Sequence, residues 1–204
     1  MNIRRLKDVP GTSLPMKEYA ADFLEVFHDV DGVIWKLERA QTFDEGPNPS
    51  WNAMREGDWQ RSLDLLDAAR ETIAADLPAR GELRRLRIVE TPLNAYLQWE
   101  LHLLAMRARL GERGRVLDAR EIAGIETDGP LPELVVFPGR HMYHIDYDKS
   151  GACVGARRID DAEVVGFWTS TVSSLYERGE DLPSYVEKRV VPLPPPRIGA
   201  EERG

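Results

Sequence analysis

Cysteine is almost missing from this chain: Cys153 stands alone in 204 residues, which excludes an intramolecular disulfide framework and fits a reducing compartment. Long apolar runs are missing too. No stretch approaches the roughly 18 to 20 consecutive apolar residues of a membrane span, and no basic segment leads into a short apolar core as in a secretory leader. These absences make the cytoplasm the expected location. Positive charge is in deficit, with 27 Lys and Arg against 35 Asp and Glu, and the net charge of −8 argues against wholesale binding to nucleic acid or anionic lipid. Recognisable catalytic motifs are also lacking. The glycines never assemble into a phosphate-cradling loop, and there is neither a Gly-x-Ser-x-Gly elbow nor a His-Glu-x-x-His zinc helix. No cofactor and no metal site is expected.

What is present is the composition of a globular domain, 42% hydrophobic and 30% charged, long enough to bury a substantial core. The chain is organised around the stretch from Glu82 to Leu110. Leu83, Leu86, Ile88 and Val89 predict a strand over Glu82–Glu90 with apolar residues on both faces, as a covered central strand requires. Thr91 then serves as an N-cap and Pro92 as the first helical residue. Leu93, Leu97, Leu101, Leu104 and Ala108 recur at helical spacing beside Tyr96, Trp99, Leu103, Met106 and Leu110, so this helix is buried on more than one side.

Elements on either side alternate. Residues 1–15 are polar and broken by Pro10, Gly11 and Pro15, the pattern of a flexible arm. A helix is predicted over 16–28, an edge strand over 33–39, a short turn capped by Ser50, and a helix from Asp58 to about Leu77. After the central unit come a short strand at 115–119, a strand pair at 134–137 and 142–147, and a turn at Asp148-Lys149-Ser150-Gly151 into a strand at 152–157. Val164, Val165, Trp168, Val172, Leu175 and Tyr176 then mark the cleanest amphipathic helix, opened by Asp160 and Asp161. A short turn is expected near Tyr185. Residues 191–204, with Pro192, Pro194, Pro195 and Pro196, read as a flexible polyproline-type tail. The whole predicts one α/β domain over 16–190: a mixed, largely parallel sheet flanked by helices, with a C-terminal hairpin and amphipathic helix.

Charge is unevenly spread. Between Arg80 and Arg120 nine arginines face five acids, a local +4 in a chain of net −8. Arg84, Arg85, Arg87, Arg113 and Arg115 therefore make a partner-binding surface, unless they simply pair with acids of neighbouring helices. The densest group of potential ligands is His141, His144, Asp146 and Asp148. On a strand His144 and Asp146 share a face with Met142, whereas His141 lies on the other, so the two histidines do not converge on one ion. His144 with Asp146 forms an acid–base pair, or else a packed strand end running into a turn. Cys153 reads as a small strand residue, His102 as a packed or solvent-tipped helix residue, and most of the five tryptophans as core.

The run from Leu83 to Glu100, a basic-apolar strand followed by Pro92-Leu93-Asn94-Ala95-Tyr96 and the pair Trp99-Glu100, resembles an uncharacterised actinobacterial domain-of-unknown-function family. Gly111-Glu112, the Phe137 strand, Tyr147-Asp148 with Gly151, and the Trp168 helix are similar as well, and the resemblance spans roughly Tyr19 to Arg178. Members are often encoded beside helix-turn-helix regulators and small partner proteins, which implies an accessory or regulatory role. No catalytic residue can be carried over. The fold implied also resembles phospholipase D-like domains, some of which are non-catalytic sensors in transcription regulators. The His-x-Lys-x-x-x-x-Asp motif of the active enzymes is absent, because His144 is followed by Ile145 and Asp146.

Three functions are compatible with these features. The first is a non-enzymatic accessory or sensor domain working with a DNA-binding transcription regulator through protein–protein contacts, touching nucleic acid only indirectly. The second is a phosphoesterase or nucleotide-acting hydrolase, with Arg85 and Arg87 holding the anion and His144 as acid–base. The third is direct nucleic-acid binding through the arginines.

Overall fold

The computed structural model describes residues 6–196, so the first five residues of the expected arm and residues 197–204 of the expected tail lie outside it. In chain order the elements are β1 (Thr12–Pro15), α1 (Met16–Phe27), β2 (Val33–Glu38), α2 (Pro49–Arg55), α3 (Trp59–Ala68), α4 (Arg70–Ala75), β3 (Glu82–Val89), α5 (Ala95–Arg109) and β4 (Arg113–Asp118). There follow β5 (Leu134–Phe137), β6 (His141–Tyr147), β7 (Cys153–Ile159), α6 (Ala162–Arg178), β8 (Glu180–Asp181) and α7 (Leu182–Arg189).

All eight strands join one sheet in the order β1-β7-β6-β5-β2-β3-β4-β8. The α/β class holds, but the sheet is predominantly antiparallel rather than largely parallel. Only β2 with β3 and β3 with β4 run parallel, linked by α2–α4 and by α5; the other five pairings are antiparallel. The cause is the link after β4, which carries the chain back across β3 to the far side of β2. There β5 enters antiparallel and is continued by tight turns through β6 and β7.

β2 is central, not an edge strand, lying between β5 and β3. Its alternation of Val33, Trp35 and Leu37 with Ile34, Lys36 and Glu38 resembles a half-solvated strand, yet Glu38 is only 5% exposed. Lys36 and Glu38 point into a charged interior described below.

One face of the sheet is covered by α6. Its Trp168, Val172 and Leu175 pack on Leu37, Leu86, Ile88, Val136 and Met142, as its spacing predicts. The opposite face carries two separate apolar clusters. One lies under α1, with Phe27, Ile34, Leu83, Val135 and Tyr143. The other lies under α5 and α7, with Val89, Leu97, Trp99, Leu101 and Leu182.

Several boundaries follow side-chain hydrogen bonds rather than periodicity. The central helix starts later than predicted, because Asn94 and not Thr91 is the N-cap: its Oδ1 accepts from the Leu97 N–H at 2.7 Å while its Nδ2 donates to the Gln41 carbonyl at 2.8 Å. Thr91 instead donates to Asp118 at 3.1 Å. Asn48 rather than Ser50 caps α2, accepting from the Ser50 and Trp51 N–H groups. The helix expected to run to Leu77 breaks at Ala69 into α3 and α4. The turn expected near Tyr185 is a true helix, capped by Asp181 and burying Leu182, Tyr185 and Val186.

Residues 6–15, though largely exposed, are anchored to the fold at Leu6 and along β1. Leu6 is buried in the α6-side cluster, and Arg157 donates to the Leu6 and Val9 carbonyls at 2.5 and 2.6 Å. β1 pairs along β7 from Thr12 opposite Arg158 to Pro15 opposite Gly155. Gly155 adopts φ +151°, and a Cβ there would sit 2.2 Å from the Leu14 carbonyl oxygen. Gly155→Ala should therefore destabilise the fold by at least about 1 kcal/mol in urea unfolding, with faster amide exchange in β1 than in β3. Unchanged exchange along Ser13 and Leu14 would refute this account of the contact.

Candidate functional site

Side chains alternate across a strand, so Lys36 and Glu38 of β2 and Arg85 and Arg87 of β3 all project to the α1/α5 face. Along both strands apolar residues give way to charges between the two clusters on that face. This charged seam is buried: Arg85 is 4% exposed and Arg87 not at all. Arg85 donates from Nη1 to Glu38 Oε1 at 2.6 Å, from Nη2 to Glu112 Oε2 at 3.3 Å, and from Nε to Glu112 Oε1. Arg107 Nε donates to Glu112 Oε2 at 2.7 Å, and Lys36 Nζ lies 2.8 Å from Glu38 Oε1. Arg87 Nε donates to Glu100 Oε2 at 2.7 Å.

Protonation in the seam follows from these pairs. Burial opposes ionisation of Glu38, but Arg85, Lys36 and Arg87 together outweigh it and hold the carboxyl well below the usual range. Burial likewise opposes the charge on Glu112, and Arg85 and Arg107 again prevail. Glu100, deeper and beside one guanidinium, is pushed upward by burial and by the Glu38 charge despite Arg87. The Tyr96 hydroxyl sits 3.2 Å from Glu100 and 2.6 Å from Glu45, and burial pushes its phenol up. Two polar atoms of the seam, Glu38 Oε2 and Arg87 Nη2, are buried with no hydrogen-bond partner.

The seam forms part of the floor of an open groove. Its larger lobe, a cavity of about 500 Å³, has Tyr19, Phe23, Leu24 and Phe27 of α1 as one wall. A second lobe of about 320 Å³ continues toward Phe43, Tyr96 and Glu100. Lys36, Arg85, Arg107, Tyr147 and Cys153 border both. A wall of aromatic and aliphatic carbon beside fixed charges suits a small amphipathic molecule.

The arginines expected to form one partner surface are divided by the sheet. Arg85 and Arg87 are interior ion-pair members and offer nothing to a protein partner, which corrects that expectation for both. Arg84, one residue out of phase, faces the α6 side over the Trp35 ring at 5.3 Å and pairs with Glu82. The register places Arg84 opposite Arg113, which is exposed. Arg115 stacks on Tyr176 at 5.0 Å and donates to the carbonyls of Glu177 and Gly179 at 3.2 Å each.

His144 and Asp146 do share a face, with His144 Nδ1 4.0 Å from Asp146 Oδ1. Burial lowers the His144 pKa against the pull of Asp146. That face is the α6 side, with Met142, so the sheet separates His144 from Arg85 and Arg87. The anion clamp and acid–base group of a phosphoesterase are thus not brought together. His141, on the other face, contacts the Tyr143 hydroxyl at 3.0 Å, and Tyr143 donates to Asp22. Among the described residues no cluster of three or more His, Cys, Asp or Glu could hold a metal ion, and no helix is long and apolar enough to cross a membrane.

Sequence reading passed over Glu133, because it sits in a Pro-rich loop far in the chain from its partners. It lines a third cavity, about 480 Å³, at the carboxyl ends of β2 and β3 with Arg39, Glu90 and Glu126. Glu133 Oε1 accepts from the Arg39 and Ala40 N–H groups at 2.8 and 2.6 Å, while Oε2 is buried without a partner. Burial raises its pKa from 4.5 to about 7, the two N–H donors opposing.

Two outcomes follow. Removing the carboxylate with Glu112→Ala leaves Arg85 and Arg107 short of charge and should cost about 3 to 5 kcal/mol in urea unfolding, whereas an exposed pair such as Lys188 with Glu180 should cost less than about 1. Glu133 holds its proton more tightly in the folded than the unfolded chain, so its stabilisation is full below pH 4.5 and is lost as pH rises toward about 7. Relative to Glu133→Gln, the wild type should therefore lose up to about 3 kcal/mol between pH 4 and 8; parallel stability curves would contradict the assignment.

Comparison with known proteins places these features in context. The family model of a domain of unknown function, DUF6879, matches residues 21–187. No curated protein matches the chain. Among solved structures it is similar to Nuc, a phospholipase D family member from Salmonella typhimurium, with a TM-score of 0.47 and 10% identity over 85% of this chain and 97% of that one. It is also similar to TrmBL2, an archaeal chromatin protein described as showing a novel mode of DNA binding, with a TM-score of 0.39 and 12% identity over 85% of this chain and 55% of that one.

Proposed function

The chain belongs to the DUF6879 family of domains of unknown function, and from that premise we propose that it is a non-enzymatic sensor or accessory domain, binding a small molecule in the α1/α5 groove and working with a DNA-binding regulator. The observation that carries this reading is the lining of the groove, an apolar α1 wall beside Lys36, Arg85 and Arg107. Glu38 and Glu112 are held ionised by their arginines, and burial pushes the Tyr19 and Tyr147 phenols up. Groups whose pKa values lie far from neutrality on either side are poor at exchanging protons in a reaction but good at presenting fixed charge and hydrogen bonds to a ligand.

The partner in this reading is a cytoplasmic helix-turn-helix regulator, as the family resemblance implies. Arg113 with the half-exposed Arg84 and Arg115 is the surface offered to it, on the α6 side and away from the groove. Occupancy of the groove and docking of the regulator then use opposite faces of one sheet. Affinity purification of the tagged chain from its native host should recover such a regulator. The triple variant Arg84→Glu, Arg113→Glu, Arg115→Glu should recover about tenfold less, since reversing rim charges shifts association by a decade or more. Recovery of chaperones alone by the wild type would overturn the proposal.

A further inference from the structure

Resting on the groove reading above, we infer the chemical class of the ligand: a single-chain amphiphile with one negative charge, its apolar body along α1 and a carboxylate head at Lys36 and Arg107. Three observations converge on this class.

The first is the charge of the lining. Lys36, Arg85 and Arg107 border the larger lobe, and among the described residues the one carboxylate that borders it, Asp76, is exposed to water at the rim. Behind the three cations stand Glu38 and Glu112, so with the solvated Asp76 at the rim left apart, three positive and two negative charges leave a floor of net +1. One negative charge balances that floor, whereas a phosphate dianion would overshoot it.

The second is the supply of hydrogen-bond donors. Arg85 is largely committed, with three of its five N–H donors, one each on Nε, Nη1 and Nη2, engaged by Glu38 and Glu112. Lys36 is different: its ammonium carries three N–H donors and one ion pair, and its side chain is 31% exposed into the groove. Arg107 meets Glu112 through Nε and also borders the lobe, so its Nη N–H donors are what it offers a second acceptor.

The third is the wall. Met16 and Leu24 are 46% and 49% exposed, and both lie on the rim of this lobe. Their neighbours Tyr19, Phe23 and Phe27 continue the apolar surface inward to the cluster around Val135 and Ile145. Large apolar side chains left open beside a row of cations are what an alkyl or aromatic body with an acidic end requires. The lobe, about 500 Å³, is of the size that holds small organic ligands.

Isothermal titration calorimetry of the full chain with sodium decanoate, 1-decanol and decyltrimethylammonium bromide separates the possibilities. Decanoate should bind at one site per chain, with decanol and the ammonium each at least about tenfold weaker, the value of a charge-assisted contact. Lys36→Gln should weaken decanoate about tenfold and leave decanol unchanged, while Lys36→Arg should retain decanoate binding. Leu24→Asp should weaken both. Thermal melts of each variant establish that the fold is intact, and Lys36→Arg serves as the folded reference should Lys36→Gln melt early. Equal affinity for decanoate and the ammonium, or indifference of decanoate to Lys36→Gln, would overturn the anionic head while leaving a binding groove. Binding of none of the three, with a regulator still recovered from the host, would overturn this inference and leave the accessory role standing.

Discussion

Arg85 is enclosed by the fold, with its guanidinium shared between Glu38 and Glu112, and much of one sheet face is arranged around that fact. A guanidinium taken out of water without carboxylates costs several kcal/mol, on the order of 3 to 5, so its partners must be delivered from outside its own strand. Glu38 comes from β2, which fixes the parallel register of β2 on β3. Glu112 comes from the turn between α5 and β4, and Arg107 from the last turn of α5, so the helix end and the start of the next strand are tied to the same group. Arg87 repeats the arrangement one step along with Glu100 from the middle of α5. The helix is therefore held over β3 by charge as well as by the apolar packing of Leu97, Leu101 and Leu104.

That arrangement also explains why the groove exists. An apolar sheet face would have drawn α1 and α5 together over a continuous core. Instead the charges on Lys36, Glu38 and Arg85 interrupt the hydrophobic surface, leaving the α1 cluster and the α5 cluster as separate bodies with a cleft between them. Fold and site have one cause. The same residues that position the central helix prevent the core from closing.

Legibility in the sequence follows the same division. Elements set by local pattern were readable: α6 from its apolar stripe, the strand and helix from Glu82 to Leu110, the antiparallel strands on either side of Pro138-Gly139 and of Asp148 to Gly151. Pairing direction was not, because the path taken after β4 depends on the whole sheet and leaves no periodic trace. The arginines misled for a definite reason. Charge in a strand usually marks solvent, and Leu83-Arg84-Arg85-Leu86-Arg87-Ile88-Val89 looks like one basic surface when read as a run. Read with a period of two, it separates into Arg84, Leu86 and Ile88 on one side and Leu83, Arg85, Arg87 and Val89 on the other. What no single sequence supplies is that Glu38, Glu100 and Glu112, between 13 and 49 residues away, converge there. Glu133 escaped notice likewise, since its partners Arg39 and Ala40 are 94 and 93 positions distant.

The two borders of the sheet have a consequence for how this domain meets others. At one side β1 is four residues long and ends in Pro15; at the other β8 is only two. Proline has no N–H to offer and a two-residue ladder gives an incoming chain almost nothing to zip onto, so both margins resist extension by a foreign strand. Recruitment by backbone addition, common among sheet proteins, is thereby discouraged. Association falls to helix surfaces and side chains, where it can be specific in charge and shape without exposing the protein to runaway polymerisation of its own sheets.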